Sequence, residues 1–105
     1  MNAQMFSILA EPNRLQMVEL LHTNPLTVNQ IVDKMKIKQP QVSKHLKVLA
    51  DAGIVAVQPI KNQRIYSLKP DPFKELDAWL AKYRTHLEQS FDKLETLLKK
   101  EVKKK

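Results

Sequence analysis

Between Phe73 and Leu98 the apolar side chains Phe73, Leu76, Leu80, Tyr83, Leu87, Phe91, Leu94 and Leu98 recur at intervals of three and four residues. Such spacing lines one face of a helix, and at about 1.5 Å per residue the stripe is about 40 Å long. A chain of 105 residues builds one small core, burying about two-thirds of the surface that its unfolded form exposes. That core cannot cover a stripe of this length. The near-heptad pattern therefore predicts a long helix starting at Pro70 whose apolar face meets a partner helix. Trp79 and Tyr83, one turn apart, read as part of that face rather than as a ligand cage.

The rest of the chain is punctuated into short elements. Met5, Phe6, Ile8 and Leu9 predict a short amphipathic helix from Asn2 to Ala10, stopped before Pro12. A second helix runs from Pro12 to about His22, with Leu15, Val18 and Leu21 on one stripe and Met17 and Leu20 beside it. It is expected to be buried over most of its surface, and Asn24-Pro25 ends it. Thr27 and Gln30 then form a capping box, with Leu26 and Ile31 as its hydrophobic staple, which starts a helix reaching Met35. Three or four residues later Pro40 opens another helix, which extends to Ala52 and is closed by Gly53. Val42, Leu46 and Leu49 place one stripe of it in the core. Lys44 and Lys47 point the opposite way, and Gln41, Ser43 and His45 lie on the flanks. Ile54 to Ile60 and Ile65 to Leu68 are rich in β-branched residues and predict a hairpin with Asn62 at its tip and Tyr66 packed beneath it. The fold class expected is mainly α with a small β-hairpin, in the order α-α-α-α-β-β-α.

Charge adds a partner to this arrangement. The chain carries a formal +7, but residues 34–64 alone hold a net +6, from Lys34, Lys36, Lys38, Lys44, Lys47, Lys61 and Arg64 against Asp51. Residues 1–33 and 65–98 are slightly acidic, and residues 99–105 add +4. A concentrated basic block on a near-neutral body suits phosphate binding, because each neutralised phosphate releases condensed counterions. Residues 99–105 read as a basic, frayed tail on a DNA-binding and dimerisation domain of residues 1–98.

Several function classes drop out. Cysteine is absent, which removes disulfides, thiolate ligands and Cys nucleophiles. The single glycine, Gly53, excludes a Gly-rich phosphate loop. Ser43 has neither a general base nor oxyanion donors in reach, so no enzyme is expected. No apolar run approaches the roughly 20 residues of a membrane span, and Met1 to Leu9 lacks the pattern of a signal peptide; a cytoplasmic protein is expected.

A capped helix, a tight turn, a cationic-faced helix and a hairpin, in that order, describe a winged helix-turn-helix. Gln39, Gln41, Ser43, Lys44, His45 and Lys47 sit where a recognition helix enters the major groove of double-stranded DNA. Lys61, Gln63 and Arg64 sit where a wing meets phosphates or the minor groove. The competing expectation is a protein-interaction module whose wing and long helix dock another protein and whose basic block is merely solvated.

The segments Leu9-Ala10-Glu11-Pro12-Asn13-Arg14-Leu15, Gln39-Pro40-Gln41-Val42-Ser43-Lys44-His45-Leu46-Lys47-Val48-Leu49 and Ala52-Gly53-Ile54-Val55 resemble the ArsR-type winged-helix repressors over residues 3 to about 69. The resemblance implies that Gln41 to Lys47 read operator DNA and that the hairpin is the wing. It also implies a homodimer built by the first and last helices, through Met5, Phe6, Leu9, Leu76, Trp79, Leu80, Tyr83, Leu87, Phe91 and Leu94. Three departures stand out. Gln39 replaces the family's usual Ser before the recognition-helix Pro, a poorer cap that leaves the amides of the first turn to solvent or phosphate. Asn62 replaces the usual Gly at the wing tip. The Cys pairs and Asp/His sets of the metal sensors are missing, with only His86 and Glu88 on the last helix, so neither a metal nor a cofactor is expected.

Overall fold

The computed structural model describes the backbone of residues 3–103 and the side-chain exposure of residues 3–101. The elements are α1 (Ala3–Leu9), α2 (Pro12–Thr23), β1 (Leu26–Thr27), α3 (Val28–Met35), α4 (Gln39–Asp51), β2 (Val55–Ile60), β3 (Gln63–Leu68) and α5 (Pro70–Lys103). The expected helical order and hairpin are present, with one strand added. Asn2, Lys104 and Lys105, which the sequence places at the start of the first helix and in the tail, lie outside the described residues. The chain divides into two compact units, Met1–Phe73 and Lys74–Lys105.

In the first unit, Met17, Ile31, Val42, Leu46 and Leu49 are completely buried, and Met5, Ile8, Leu21, Leu26, Ile54, Val55 and Tyr66 close around them. Four helices and the sheet therefore share one core. The helix α2 is less buried than its spacing predicts. Met17, Val18 and Leu21 face inward while Leu15 is exposed, because residues three apart drift by about 60° per step around a 3.6-residue helix. Leu15 ends up nearly opposite Met17.

The capping box of α3 forms as the sequence predicts. The Gln30 N–H donates to Thr27 Oγ1 at 3.2 Å, and the Thr27 N–H donates to Gln30 Oε1 at 2.9 Å, while both staple residues, Leu26 and Ile31, are buried. At its other end α3 is capped by Lys36 in the left-handed region, φ 58, whose N–H donates to the Val32 carbonyl at 2.8 Å.

The strand β1 is the element absent from the sequence reading. Two residues carry no periodicity of their own, and Leu26 and Thr27 become a strand only because β3 lies alongside, pairing Leu26 with Tyr66 and Thr27 with Ile65. The sheet order is β1-β3-β2, all antiparallel, so β2 is an edge strand, with Pro59 opposite Arg64. Ile60 pairs with Gln63, which shortens the expected four-residue loop to Lys61 and Asn62. The positive φ falls on Lys61, φ 57, and not on Asn62. Asn62 stays within the two-residue tip, while Gln63 and Arg64, expected in the loop, already belong to β3.

The second unit is the helix α5 from Lys74 on. It passes Leu98, where the sequence reading ended the ordered domain, and continues to Lys103. No glycine or proline follows Pro72, and Leu, Lys and Glu are strong helix formers. Lys99 pairs with Glu95 one turn back at 3.4 Å. Along this helix Leu80, Tyr83, Leu87, Phe91, Leu94, Leu97 and Leu98 are all exposed on the single chain. The rings of Trp79 and Tyr83 stack at 4.8 Å with a 54° tilt. Among the described residues, no helix is long and apolar enough to cross a membrane.

Candidate nucleic-acid interface

Everything that could meet DNA in the first unit depends on how α4 is seated. Val42, Leu46 and Leu49 anchor its inner side, each fully buried, while Gln41, Ser43, Lys44 and Lys47 are exposed on the opposite side and flank. Its end is fixed by a Schellman motif. The Ile54 N–H donates to the Leu49 carbonyl at 2.9 Å and the Gly53 N–H to the Ala50 carbonyl at 3.0 Å, with Gly53 at φ 78 and both Ile54 and Leu49, the apolar positions of the motif, buried. The helix thus ends at Asp51, with Ala52 as its cap.

The start of α4 differs from expectation. The N-cap is Lys38, without a side-chain capping bond, and Gln39 is already helical, with Pro40 second. The first turn nevertheless leaves little unsatisfied: the N–H groups of Gln41 and Val42 donate to the Lys38 carbonyl at 3.0 and 3.1 Å, and Pro40 has no N–H to satisfy. A missing side-chain cap at this end is consequently less costly than the residue type implies. The Gln39 side chain is turned to solvent instead.

The wing supplies the second part. Lys61, Gln63 and Arg64 are exposed, and Tyr66 is buried beneath them as packing. Because β1 pins the N-terminus of α3 against β3, an open cleft of about 250 Å³ lies between the starts of α3 and α4 and the wing, lined by Thr27, Val28, Asn29, Gln39, Asn62, Gln63 and Arg64. Gln39, Gln63 and Arg64, distant in sequence, are gathered there. Asn29 and Asn62 join them; the sequence marks Asn62 only as the hairpin tip and Asn29 not at all, since only the β1–β3 pairing brings α3 to the wing. A second open groove follows the turn between α3 and α4, lined by Val32, Asp33, Lys36, Ile37, Lys38 and Gln41.

His45 departs from its neighbours on α4. Its side chain is 17% exposed and its Nδ1 lies 3.7 Å from Oε2 of Glu11. The same carboxylate oxygen accepts the Arg14 N–H at 2.9 Å as the N-cap of α2. Burial pushes the Glu11 carboxyl up, but hydrogen bonds from the backbones of Arg14 and Asn13, with His45 and Arg14 as neighbouring charges, outweigh it and leave the group below its ordinary value. Ionised Glu11 therefore favours the folded state, and that contribution fades as pH falls through the lowered carboxylate range. Lys47 pairs with Asp51 at 3.9 Å, both well exposed, an ion pair too solvated to hold the lysine in place.

The residues expected at a dimer interface separate into three groups. Phe6, Leu80, Tyr83, Leu87, Phe91 and Leu94 are exposed, while Leu9, Leu76 and Trp79 are half-buried. Met5 is 8% exposed and belongs to the core of its own chain, although its neighbour Phe6 on α1 faces outward.

Residues 11–57, from the cap of α2 into β2, match the family model "Bacterial regulatory protein, arsR family". Over 77 residues the chain is 35% identical to the HTH-type transcriptional regulator Rv2034 of Mycobacterium tuberculosis, covering 73% of this chain and 72% of that protein. The chain belongs to the ArsR family. It is also 34% identical over 65 residues to the HTH-type transcriptional repressor SmtB of the same species, covering 62% of this chain and 48% of that one. The crystal structure of the ArsR family transcriptional regulator RHA00566 superposes with a TM-score of 0.70 at 28% identity, over 79% of this chain and 91% of the other. This ArsR-family chain is thus a DNA-binding transcriptional regulator with a winged helix-turn-helix fold. In it α3 and α4 are the helix-turn-helix pair and β2–β3 the wing.

Proposed function

We propose that this regulator acts as a homodimeric repressor that occupies an inverted-repeat operator and blocks transcription, in the cytoplasm and without enzymatic activity. The observation that carries it is the two-sidedness of α4: Val42, Leu46 and Leu49 are sealed in the core, while Gln41, Ser43, Lys44 and Lys47 present hydrogen-bonding and cationic groups outward. A helix of that kind fits the major groove, where Gln, Ser and Lys pair with base-edge donors and acceptors. Gln39 and the wing residues Lys61, Gln63 and Arg64 would hold the flanking backbone. In this reading Phe6 and Leu9 of α1 and the apolar stripe of α5 supply the dimer contacts. Twofold symmetry then sets the two recognition helices about one DNA turn, roughly 34 Å, apart.

The test separates base reading from phosphate grip. In an anisotropy titration, Gln41→Ala and Ser43→Ala are expected to reduce discrimination between the operator and a random duplex. Lys61→Ala is expected to weaken both about equally and to lower the salt slope by about one. Equal losses from all three variants, or no preference for DNA selected from the protein's own genome, would sink this assignment.

A further inference from the structure

Among the described residues, one buried side-chain N or O atom has no hydrogen-bond partner: Nδ1 of His45. Buried polar atoms are normally paired, and this one faces Glu11 Oε2 at 3.7 Å, near enough for charge attraction and just too far for a hydrogen bond. The carboxylate it faces stands at a junction. Glu11 caps α2 through the Arg14 N–H at 2.9 Å, and Arg14 in turn donates through Nε to the Ile8 carbonyl of α1 at 2.8 Å. A polar chain therefore runs from the end of α1, through the cap of α2, to a side chain directly beside Ser43 and Lys44 on α4.

We propose that Glu11 and His45 form a charge-dependent tie that sets the recognition helix against α2, so that protonation of His45 strengthens operator reading. This rests on α4 being the reading helix. His45 is then a positioning residue: it acts on DNA by fixing the angle at which Ser43 and Lys44 are presented, and its side chain is turned toward Glu11. The charged groups on elements packed against α4 are Glu11, Arg14, Glu19 and His22 at α2, and Asp33 and Lys34 on α3, while β2 carries none. Of these, only Glu11 comes within ion-pair distance of His45, and Arg14 is committed to Ile8. On α4 itself Lys44 and Lys47 point outward, and Asp51 lies one turn on from Lys47, exposed and 3.9 Å from its ammonium. An imidazolium is attracted to an ionised carboxylate 3.7 Å away where a neutral imidazole is not, so the tie is stronger with His45 charged.

The experiment measures the ratio of operator to random-duplex affinity between pH 6 and 8 for the full chain. General attraction of a charged histidine to phosphates changes both affinities and cancels in the ratio. The wild type is expected to gain about two- to fivefold in the ratio toward pH 6, the scale of a partly exposed ion pair. Glu11→Asp keeps the charge and a good helix cap but withdraws the carboxylate by one methylene, and is expected to flatten the profile at unchanged melting temperature. His45→Gln, neutral throughout, is expected to be flat as well. A wild-type ratio independent of pH, or a Glu11→Asp variant with the wild-type profile, overturns the tie while leaving operator binding intact. Equal binding of operator and random duplex at every pH overturns the recognition-helix reading itself, and the tie with it.

Discussion

Leu87 is the sharpest place to test whether α5 is an interface, because half of its surface is still uncovered on the single chain. It is 51% exposed, and complete burial of a leucine is worth about 1.5–3 kcal/mol relative to exposure. About half of that, roughly 0.8–1.5 kcal/mol, remains to be gained by each protomer on association, and twofold symmetry doubles it to about 1.5–3 kcal/mol per dimer. With 1.4 kcal/mol per decade, Leu87→Ala is expected to weaken the dimer by about tenfold or somewhat more, toward the lower bound because alanine keeps the β-carbon. Alanine is at least as good a helix former as leucine, so the helix itself is not weakened. Sedimentation equilibrium over a range of concentrations reads the dissociation constant directly, with Gln89→Ala, on the far side of the same helix, as control. A Leu87→Ala dimer within twofold of wild type, indistinguishable from the Gln89→Ala control, would refute the assignment of this stripe to the interface.

Two further perturbations address the reading head. Leu46→Ala removes a fully buried side chain from beneath α4 and is expected to cost about 2–5 kcal/mol, chiefly as cavity. Urea unfolding should show this as a lower midpoint at unchanged slope, and a loss under 1 kcal/mol would mean that α4 is not seated as described. Lys36→Gly relieves a left-handed residue, φ 58, which costs a non-glycine side chain about 1–2 kcal/mol, against about 0.5–1 kcal/mol for the added freedom of glycine when unfolded. The variant is expected to be about 0.5–1 kcal/mol more stable yet to bind DNA with a salt slope reduced by about one. Greater stability with undiminished DNA binding would show that this lysine does not touch phosphate.

Most of the helix-turn-helix was legible because its signals are local. Thr27 and Gln30 declare a helix start by side-chain chemistry, and Val42, Leu46 and Leu49 declare a buried stripe by spacing alone. What escaped depends on residues far apart in sequence. Leu26 and Thr27 are a strand only in the presence of Tyr66 and Ile65, and without that pairing neither the cleft nor the inclusion of Asn29 and Asn62 could be foreseen. Leu15 was misplaced because spacing by threes mimics a stripe while steadily rotating away from it. The inward turn of His45 was equally hidden, since a flank position on a helix is compatible with either water or Glu11 until α2 is in place. Met5 illustrates the converse: its apolar character was plain, but whether it serves its own core or a partner is decided by the packing of α1.

The outer strand of the wing raises a different question, that of unwanted company. β2 leaves one side of its backbone unpaired at the edge of the sheet, and Val57 and Ile60 on it are each 43% exposed, a combination that invites another chain to add a strand. Pro59, between them, withholds a backbone donor and stiffens the chain where such a strand would zip on. Two copies of this protein brought side by side on DNA would hold their wings at high local concentration, where edge-to-edge pairing is the route to aggregates. Pro59 thus guards solubility at the point where binding DNA puts it most at risk.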